Sequence, residues 1–464
     1  MKAKSISRRE FITKSSLVAA GASFGVPAVS GMGRRAGPND RIRLGFIGVG
    51  NRGTDLLKLS MENPDVEVAA LCDVYEPYLN RNRSSVIQRY FDTGKVPLMD
   101  EGLGSSVKRY TDFRKMLEQK DIEAIFIATP DHWHAIQAIM SMDAGKDVYV
   151  EKPLTITLKE GRAIVEAEKR TSRIGAVGLN RRGCSIYQKL SKEFQGGKIG
   201  KVTSARAFRI SNMFPDGIGR LKPEDPPPGF NWDMWLGPRP YRLYQYNIAP
   251  YYFRWWKEYS SQMGNWGVHY MDVIRWLIGE KAPVAITAHG GKYVVKDDRD
   301  IPDTMEVFFE HESGVIIQFS IHEASGGEGI PGGEIELKGT LGTLVAREDG
   351  YRITPSSPGQ FQTWEKRMEE EKYEFKGETG DDDYQTSENS TGNLIRNFLD
   401  CVKSREKPLC SLEDGHRSTS FAHLANISLE MGMRIEWDAV NEKITNSEKA
   451  NELLHYEYRK PWKL

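Results

Sequence analysis

Residues Arg41–Gly53 read RIRLGFIGVGNRG, and this stretch decides the fold. Ile42, Leu44, Phe46, Ile47 and Val49 form a short apolar run rich in β-formers, the pattern of a fully buried central strand. The run ends in Gly48-x-Gly50-x-x-Gly53, and Thr54, Asp55, Leu56, Leu57 and Leu59 read as the helix that follows. Each glycine has its own task there. The first permits a tight turn, the second lets the backbone approach a pyrophosphate, and the third lets helix pack on strand. The phosphates would then sit on the helix N-terminus, with Asn51 and Arg52 in its opening turn. A glycine-rich turn with no ligand is the competing reading of the motif alone.

A second apolar strand, Val66–Leu71, leads to Asp73, 20 residues after Gly53. A carboxylate at that spacing accepts from the adenosine ribose hydroxyls, and its charge repels a 2′-phosphate. NAD is therefore expected over NADP. Arg81 and Arg83 lie just downstream and keep NADP open. Asp73 as a plain strand-end turn residue is the alternative.

At 464 residues the chain exceeds what one core supports, so two domains are expected, 41–155 and 156–464. Lys+Arg and Asp+Glu are both 64, which leaves no global charge footprint for nucleic acid or an anionic membrane. At the start, Ser7-Arg8-Arg9-Glu10-Phe11-Ile12 precedes a small-residue run, Ser15–Val29, that is too short to span a bilayer. It resembles a twin-arginine signal within residues 1–35, cut near Ala28-Val29-Ser30, which implies the twin-arginine machinery as partner and a periplasmic location with no membrane span in the mature chain. A disordered basic tail is the other reading. Cys72, Cys184, Cys401 and Cys410 lack zinc-ligand spacing, and an oxidising compartment would permit a Cys401–Cys410 disulfide.

Strands and helices alternate up to about residue 155: Ile122–Ala128 as strand, Trp133–Ala144 as helix, Asp147–Val150 as strand. That pattern predicts an α/β doubly wound parallel sheet. A helix over Thr157–Thr171 bridges into a second region whose alternating strands predict an α+β domain with a large, mostly antiparallel open sheet, one face of which receives the first domain. The charged stretch 364–387 reads as a solvated loop or weak hairpin. Ser411-Leu412-Glu413-Asp414 resembles a capping box opening a helix to about Gly432, and the tail Leu453–Leu464 reads as docked on the body.

Ligands of open parallel sheets bind beyond the carboxyl ends of the strands. Two such ends are polar: Ala128-Thr129-Pro130-Asp131-His132-Trp133-His134 and Glu151-Lys152-Pro153. Local turn chemistry explains either without a ligand. A lysine beside a nicotinamide can take a hydroxyl proton and stabilise a developing alkoxide, with Glu151 holding its ammonium. In Gly264–Trp276, spacings of 4, 3 and 4 put Asn265, His269, Asp272 and Trp276 on one helical face. His269 there is a candidate proton acceptor, or a structural histidine paired to Asp272. No metal is expected, because the histidines at 132, 134 and 269 lack acidic partners at ligand spacing. Residues 230–259 hold 12 aromatics in 30 positions, against 10% overall. Tyr251, Arg254 and Trp255 are nominated from them for stacking on a sugar, with packing the expected fate of most.

Together, the glycine motif, the 128–134 segment, Glu151-Lys152-Pro153, Gly267-Val268-His269 with Asp272, and Glu413-Asp414-Gly415-His416-Arg417-Ser418 resemble the Gfo/Idh/MocA oxidoreductases from about residue 41 onward. The resemblance implies a Rossmann domain, tightly held NAD(P) and hydride exchange with a sugar or polyol carbon, in a homo-oligomer (dimer or tetramer). It also implies roles for individual residues. Lys152, His269 and Asp272 would be catalytic. Thr129, Pro130, Asp131, Trp133, His134 and Glu151 would join the glycine loop and Asp73 around the cofactor. Asn180, Arg181, Arg182, Tyr251, Arg254, Trp255, Asn265 and His269 would contact a carbohydrate substrate. One departure matters: inositol-dehydrogenase-like members carry aspartate where this chain has Asn265, so Asp272 or a direct Lys152–His269 route would have to relay the proton. Some relatives instead run a redox-neutral glycoside hydrolysis, although the Tyr-x-x-His segment of the N-acetylgalactosaminidases is not evident. A non-catalytic sugar-binding protein is the third reading.

Overall fold

The computed structural model describes residues 41–375 and 389–464. The twin-arginine segment and residues 376–388, which take in the second half of the charged stretch, lie outside the described residues. Within them are two sheets. The first joins β1 (Ile42–Ile47), β2 (Val66–Cys72), β3 (Lys108–Tyr110), β4 (Ala124–Ile127), β5 (Asp147–Val150) and β6 (Gly175–Val177), all parallel in the order β3-β2-β1-β4-β5-β6. Strands β4 and β5 are buried throughout, as apolar runs covered on both faces must be.

The expected boundary at residue 155 falls short. Helix Leu158–Thr171, opened by a capping box between Thr157 and Glu160, does not bridge to a second domain. It is the crossover that a parallel neighbour requires, and it returns the chain to β6 beside β5.

The second sheet contains β7 (Val202–Ile210), β8 (Ala285–Gly291), β9 (Thr304–Glu310), β10 (Ile316–His322), β11 (Ile335–Gly339), β12 (Gly342–Arg347), β13 (Gly350–Pro355), β14 (Glu371–Glu374), β15 (Ile435–Asp438) and β16 (Lys443–Ile444). Its order is β14-β13-β12-β11-β7-β10-β9-β8-β15-β16, antiparallel except where β10 lies parallel to β7. Alternation sets the faces: Met305, Val307 and Phe309 of β9 are buried while Phe308 points outward. The buried face does not receive the first domain directly, as its apolar pattern had suggested. Helices Val268–Ile278 and Leu412–Met431 lie against it, with helix Ser185–Gln195 packed on the first of them, and the second also packs on β6 and helix Leu158–Thr171. Part of the charged stretch pairs with β13 as the edge strand β14. All four cysteines are buried and none is in a disulfide, so the permitted Cys401–Cys410 bridge is not formed. The tail is docked, with Trp462 edge-on to Trp133 at 4.7 Å. Among the described residues no helix is long and apolar enough to cross a membrane.

Helix Leu412–Met431 opens with Ser411 and Asp414 capping one another. Its first turn fits only because two glycines make room: a Cβ at Gly415 would strike Val177, and one at Gly161 would strike the ring of His416. Gly415→Val should therefore cost roughly 1–3 kcal/mol through overpacking. Urea unfolding checks this, and an unchanged midpoint would show that helix and sheet part without strain.

Candidate active site

One large cavity opens at the carboxyl ends of β1, β2, β4 and β5, against the aromatic segment. At its β1 end Gly48 has φ of +82°, and a side chain at Gly53 would collide with the Gly48 carbonyl. Helix Asn51–Met61 starts at Gly50 with no side-chain cap, which leaves its first N–H groups unclaimed by side chains where Gly50, Asn51 and Arg52 line the cavity. Asp73 lines it too, accepting from the Val49 N–H at 2.8 Å and the Tyr75 N–H at 2.9 Å. Burial pushes its carboxyl above the usual range, and those two N–H groups oppose the shift. Each carboxylate oxygen keeps acceptor capacity for a ribose hydroxyl. Arg81 is not available for a 2′-phosphate: it donates to the Val49 carbonyl and to Thr54 Oγ1, both at 2.9 Å, and pairs with buried Glu101. A strict glycine turn, an uncapped helix start and a carboxylate at the end of β2 together fit NAD.

The second strand end contributes Thr129, Pro130, Asp131 and Trp133 to the cavity wall. Thr129 donates to Gln137 at 2.7 Å, and Asp131 accepts from Ser260. The rings of this segment act as anchors. His132 Nε2 and Trp133 Nε1 meet the Trp235 carbonyl at 2.8 and 3.0 Å, and His134 lies between the Pro153 and Thr129 carbonyls at 2.8 and 3.0 Å. Burial pushes His132 down to about 3, so it stays neutral.

At the inner end, the Lys152 ammonium donates to the Asn265 main-chain carbonyl at 2.9 Å and to Asn265 Oδ1 at 3.1 Å. Burial lowers Lys152 to about 8, although Glu151 pulls it upward. Glu151 does not hold that ammonium. Its Oε1 accepts from Arg52 at 2.7 Å, and its Oε2 faces the Lys152 N–H. His269 is buried with Nδ1 unpartnered, and burial together with the nearby Lys152 charge depresses it well below the ordinary histidine value. It is therefore a neutral hydrogen-bonding group and a weak proton acceptor.

Several expected site residues lie elsewhere. Met263–Gly267 is a π-helical turn, wider than an α-turn, so Asn265 leaves the face it was assigned with Asp272. Asp272 is locked into a bidentate pair with Arg182 at 2.8 and 2.9 Å, with Ser418 donating to it at 2.6 Å. Both oxygens are thus engaged, which removes Asp272 as a relay and Arg182 as a substrate contact. Arg181 pairs with Glu334 on the side of the second sheet. Asn180 does not line the cavity; its Oδ1 is buried without a partner. Trp255 points away, donating to Glu323 at 2.9 Å. Tyr251 and Arg254 do line the cavity. So do Lys95, Gln137 and Trp266, which sequence reasoning missed; Lys95 falls in a polar insertion with no periodic signal.

Nine of the twelve aromatics between 230 and 259 are buried among themselves and the first domain. Trp232 stacks on Trp235 at 4.7 Å, Tyr75 meets Phe230 at 5.5 Å, and the Tyr90 and Tyr244 hydroxyls hydrogen-bond at 2.8 Å.

Three family models tile the chain. "Oxidoreductase family, NAD-binding Rossmann fold" matches residues 42–179, "GFO/IDH/MocA C-terminal domain" matches 187–345, and "Oxidoreductase family, C-terminal alpha/beta domain" matches 383–464. A glycosyl hydrolase family 109 protein of Shewanella putrefaciens is 32% identical over 134 residues, 29% of this chain and 27% of its own length. An alpha-N-acetylgalactosaminidase of Shewanella oneidensis is 32% identical over 132 residues, 28% of this chain and 27% of its own. The match thus spans about a quarter of the length of these curated relatives. Among solved structures, levoglucosan dehydrogenase in complex with NADH and L-sorbose superposes with a TM-score of 0.61 at 18% identity, covering 86% of this chain and 99% of that one. The chain belongs to the Gfo/Idh/MocA family of oxidoreductases, with an NAD-binding Rossmann domain at its amino-terminal side.

Proposed function

We propose that this protein oxidises a carbinol carbon of a sugar or polyol with NAD. The observation that carries the reading is Lys152: a buried amine of lowered basicity, aimed by Asn265, at the inner end of the cavity that the phosphate loop opens. Bound NAD would supply the hydride acceptor. Neutral Lys152 takes the hydroxyl proton as the C–H bond breaks, leaving a carbonyl and an ammonium that stays on Asn265. His269 is kept neutral but does not line the cavity, so the hydroxyl proton is assigned to Lys152 alone. Phe230, Trp235, Tyr251 and Phe253 supply aromatic surface for the ring. The dehydrogenase among the structural neighbours, solved with NADH and a sugar, supports this substrate class. Tight cofactor retention, twin-arginine export to the periplasm and a homo-oligomer belong to the same proposal.

The curated relatives support a second reading, redox-neutral glycoside hydrolysis, since their names are those of glycosidases. Incubation with free sugars and aryl glycosides separates the two. Accumulating reduced nicotinamide without aglycone supports the dehydrogenase; aglycone release at constant cofactor redox state replaces it.

Lys152→Met should lower kcat by a factor of 10² to 10⁴, the usual contribution of one general base, with cofactor still bound. Turnover at wild-type level in a folded, NAD-loaded variant would overturn the assignment. The oxidation rate should rise with pH and inflect near 8, because the amine must be neutral. Asn265→Asp places an anion beside the ammonium, favours its charged form and should move that inflection upward, by about one unit or more. A pH–rate profile that stays in place would show that Lys152 is not the titrating base.

A further inference from the structure

Resting on the oxidoreductase reading, a second feature of the cavity narrows the substrate. Arg254 lines the same cavity as Lys152. Its guanidinium packs on the rings of Tyr251 and Phe253, 4.4 Å from each centroid, and one Nη1 donates to the Tyr251 carbonyl at 2.8 Å. Those contacts fix the plane of the fork and use one of its five N–H groups. No carboxylate pairs with it among the described residues. The two acids near enough to affect it are engaged, Asp131 by Ser260 and Glu151 by Arg52. Arg209 does not itself line the cavity but lies 3.7 Å over the ring of cavity-lining Trp266, again with no carboxylate partner among the described residues, and its Nε is buried without an acceptor. Elsewhere in the molecule buried guanidinium groups are matched: Arg182 by Asp272, Arg181 by Glu334, Arg299 by Asp297 and Glu323. Arg254 and Arg209 are half-buried, and a partly desolvated cation left without an anion gains when a ligand supplies one.

We propose that the substrate is an acidic sugar whose carboxylate is received by the free fork of Arg254, with Arg209 adding positive charge from beside Trp266, while a ring hydroxyl is presented to Lys152. A planar fork suits a carboxylate because two parallel N–H bonds form at once.

The test uses the NAD-loaded protein and matched pairs: galactose with galacturonate and glucose with glucuronate, plus glucose 6-phosphate. Reduced nicotinamide is followed, and affinity is measured separately by calorimetry. Each acid should exceed its neutral partner in kcat/KM and in affinity by about tenfold to a hundredfold, the range of a charge-assisted hydrogen-bonded pair. Arg254→Gln should abolish that preference, and Arg254→Lys, which keeps the charge without the fork, should retain part of it. Equal or better use of the neutral sugars, preference for the phosphate, or an Arg254→Gln variant that weakens both members of a pair equally would each overturn the proposal. Should no sugar change the cofactor redox state, the oxidoreductase reading fails on its own, and the calorimetric ratio still decides this inference: an acid preference lost in Arg254→Gln upholds it, and equal affinities overturn it.

Discussion

The contact on which the site depends is the donation from the Lys152 ammonium to the Asn265 carbonyl, because it joins a strand end of the first sheet to a helix of the second domain. The acceptor lies within the π-helical turn Met263–Gly267. The helix that continues from it is held by charge. Asp272 pairs with Arg182, Ser418 bonds both Asp272 and Arg275, and Arg275 reaches Asp414 at 3.2 Å. Removing one partner of such a buried pair costs about 3–5 kcal/mol and frees the helix to rotate. The Asp272 carboxylate thus acts on the site through position and makes no contact with the cavity.

Cofactor cleft and substrate wall are joined by the aromatic segment as well. Its backbone docks on the first domain, with the Asn231 N–H on the Val74 carbonyl and the Glu76 N–H on the Gly229 carbonyl. Rings that pack edge-on and in stacks there bury apolar area while holding a wall rigid. The density of aromatics therefore serves enclosure first, and a few members, Tyr251 and Phe253 among them, are left facing the cavity.

What was legible from residues alone was what local chemistry decides. The glycine turn, Asp73 at the end of β2, Lys152 at the end of β5 and the Ser411 capping box each follow from neighbours within a few positions. Pairings across the chain were not legible. Whether Glu151 chooses Lys152 or Arg52, 99 residues away, and whether Asp272 chooses His269 or Arg182, 90 residues away, is settled by packing. The boundary at 155 failed because β6 is three residues long, too short for a periodic signal. The face shared by Asn265 and Asp272 failed because one wide turn shifts a helical register, which no count of spacings anticipates.

The ion pair between Arg81 and Glu101 has a consequence for how this chain could be re-engineered or could diverge. Replacing Asp73 alone would remove the repulsion of a phosphorylated ribose yet supply no cation to receive it, since Arg81 is tied to Glu101, Val49 and Thr54. On the proposed NAD reading, dinucleotide preference would therefore rest on two separated acids. A lineage switching it would have to change both, and only the order that releases Arg81 from Glu101 before Asp73 is lost avoids an intermediate that binds neither well.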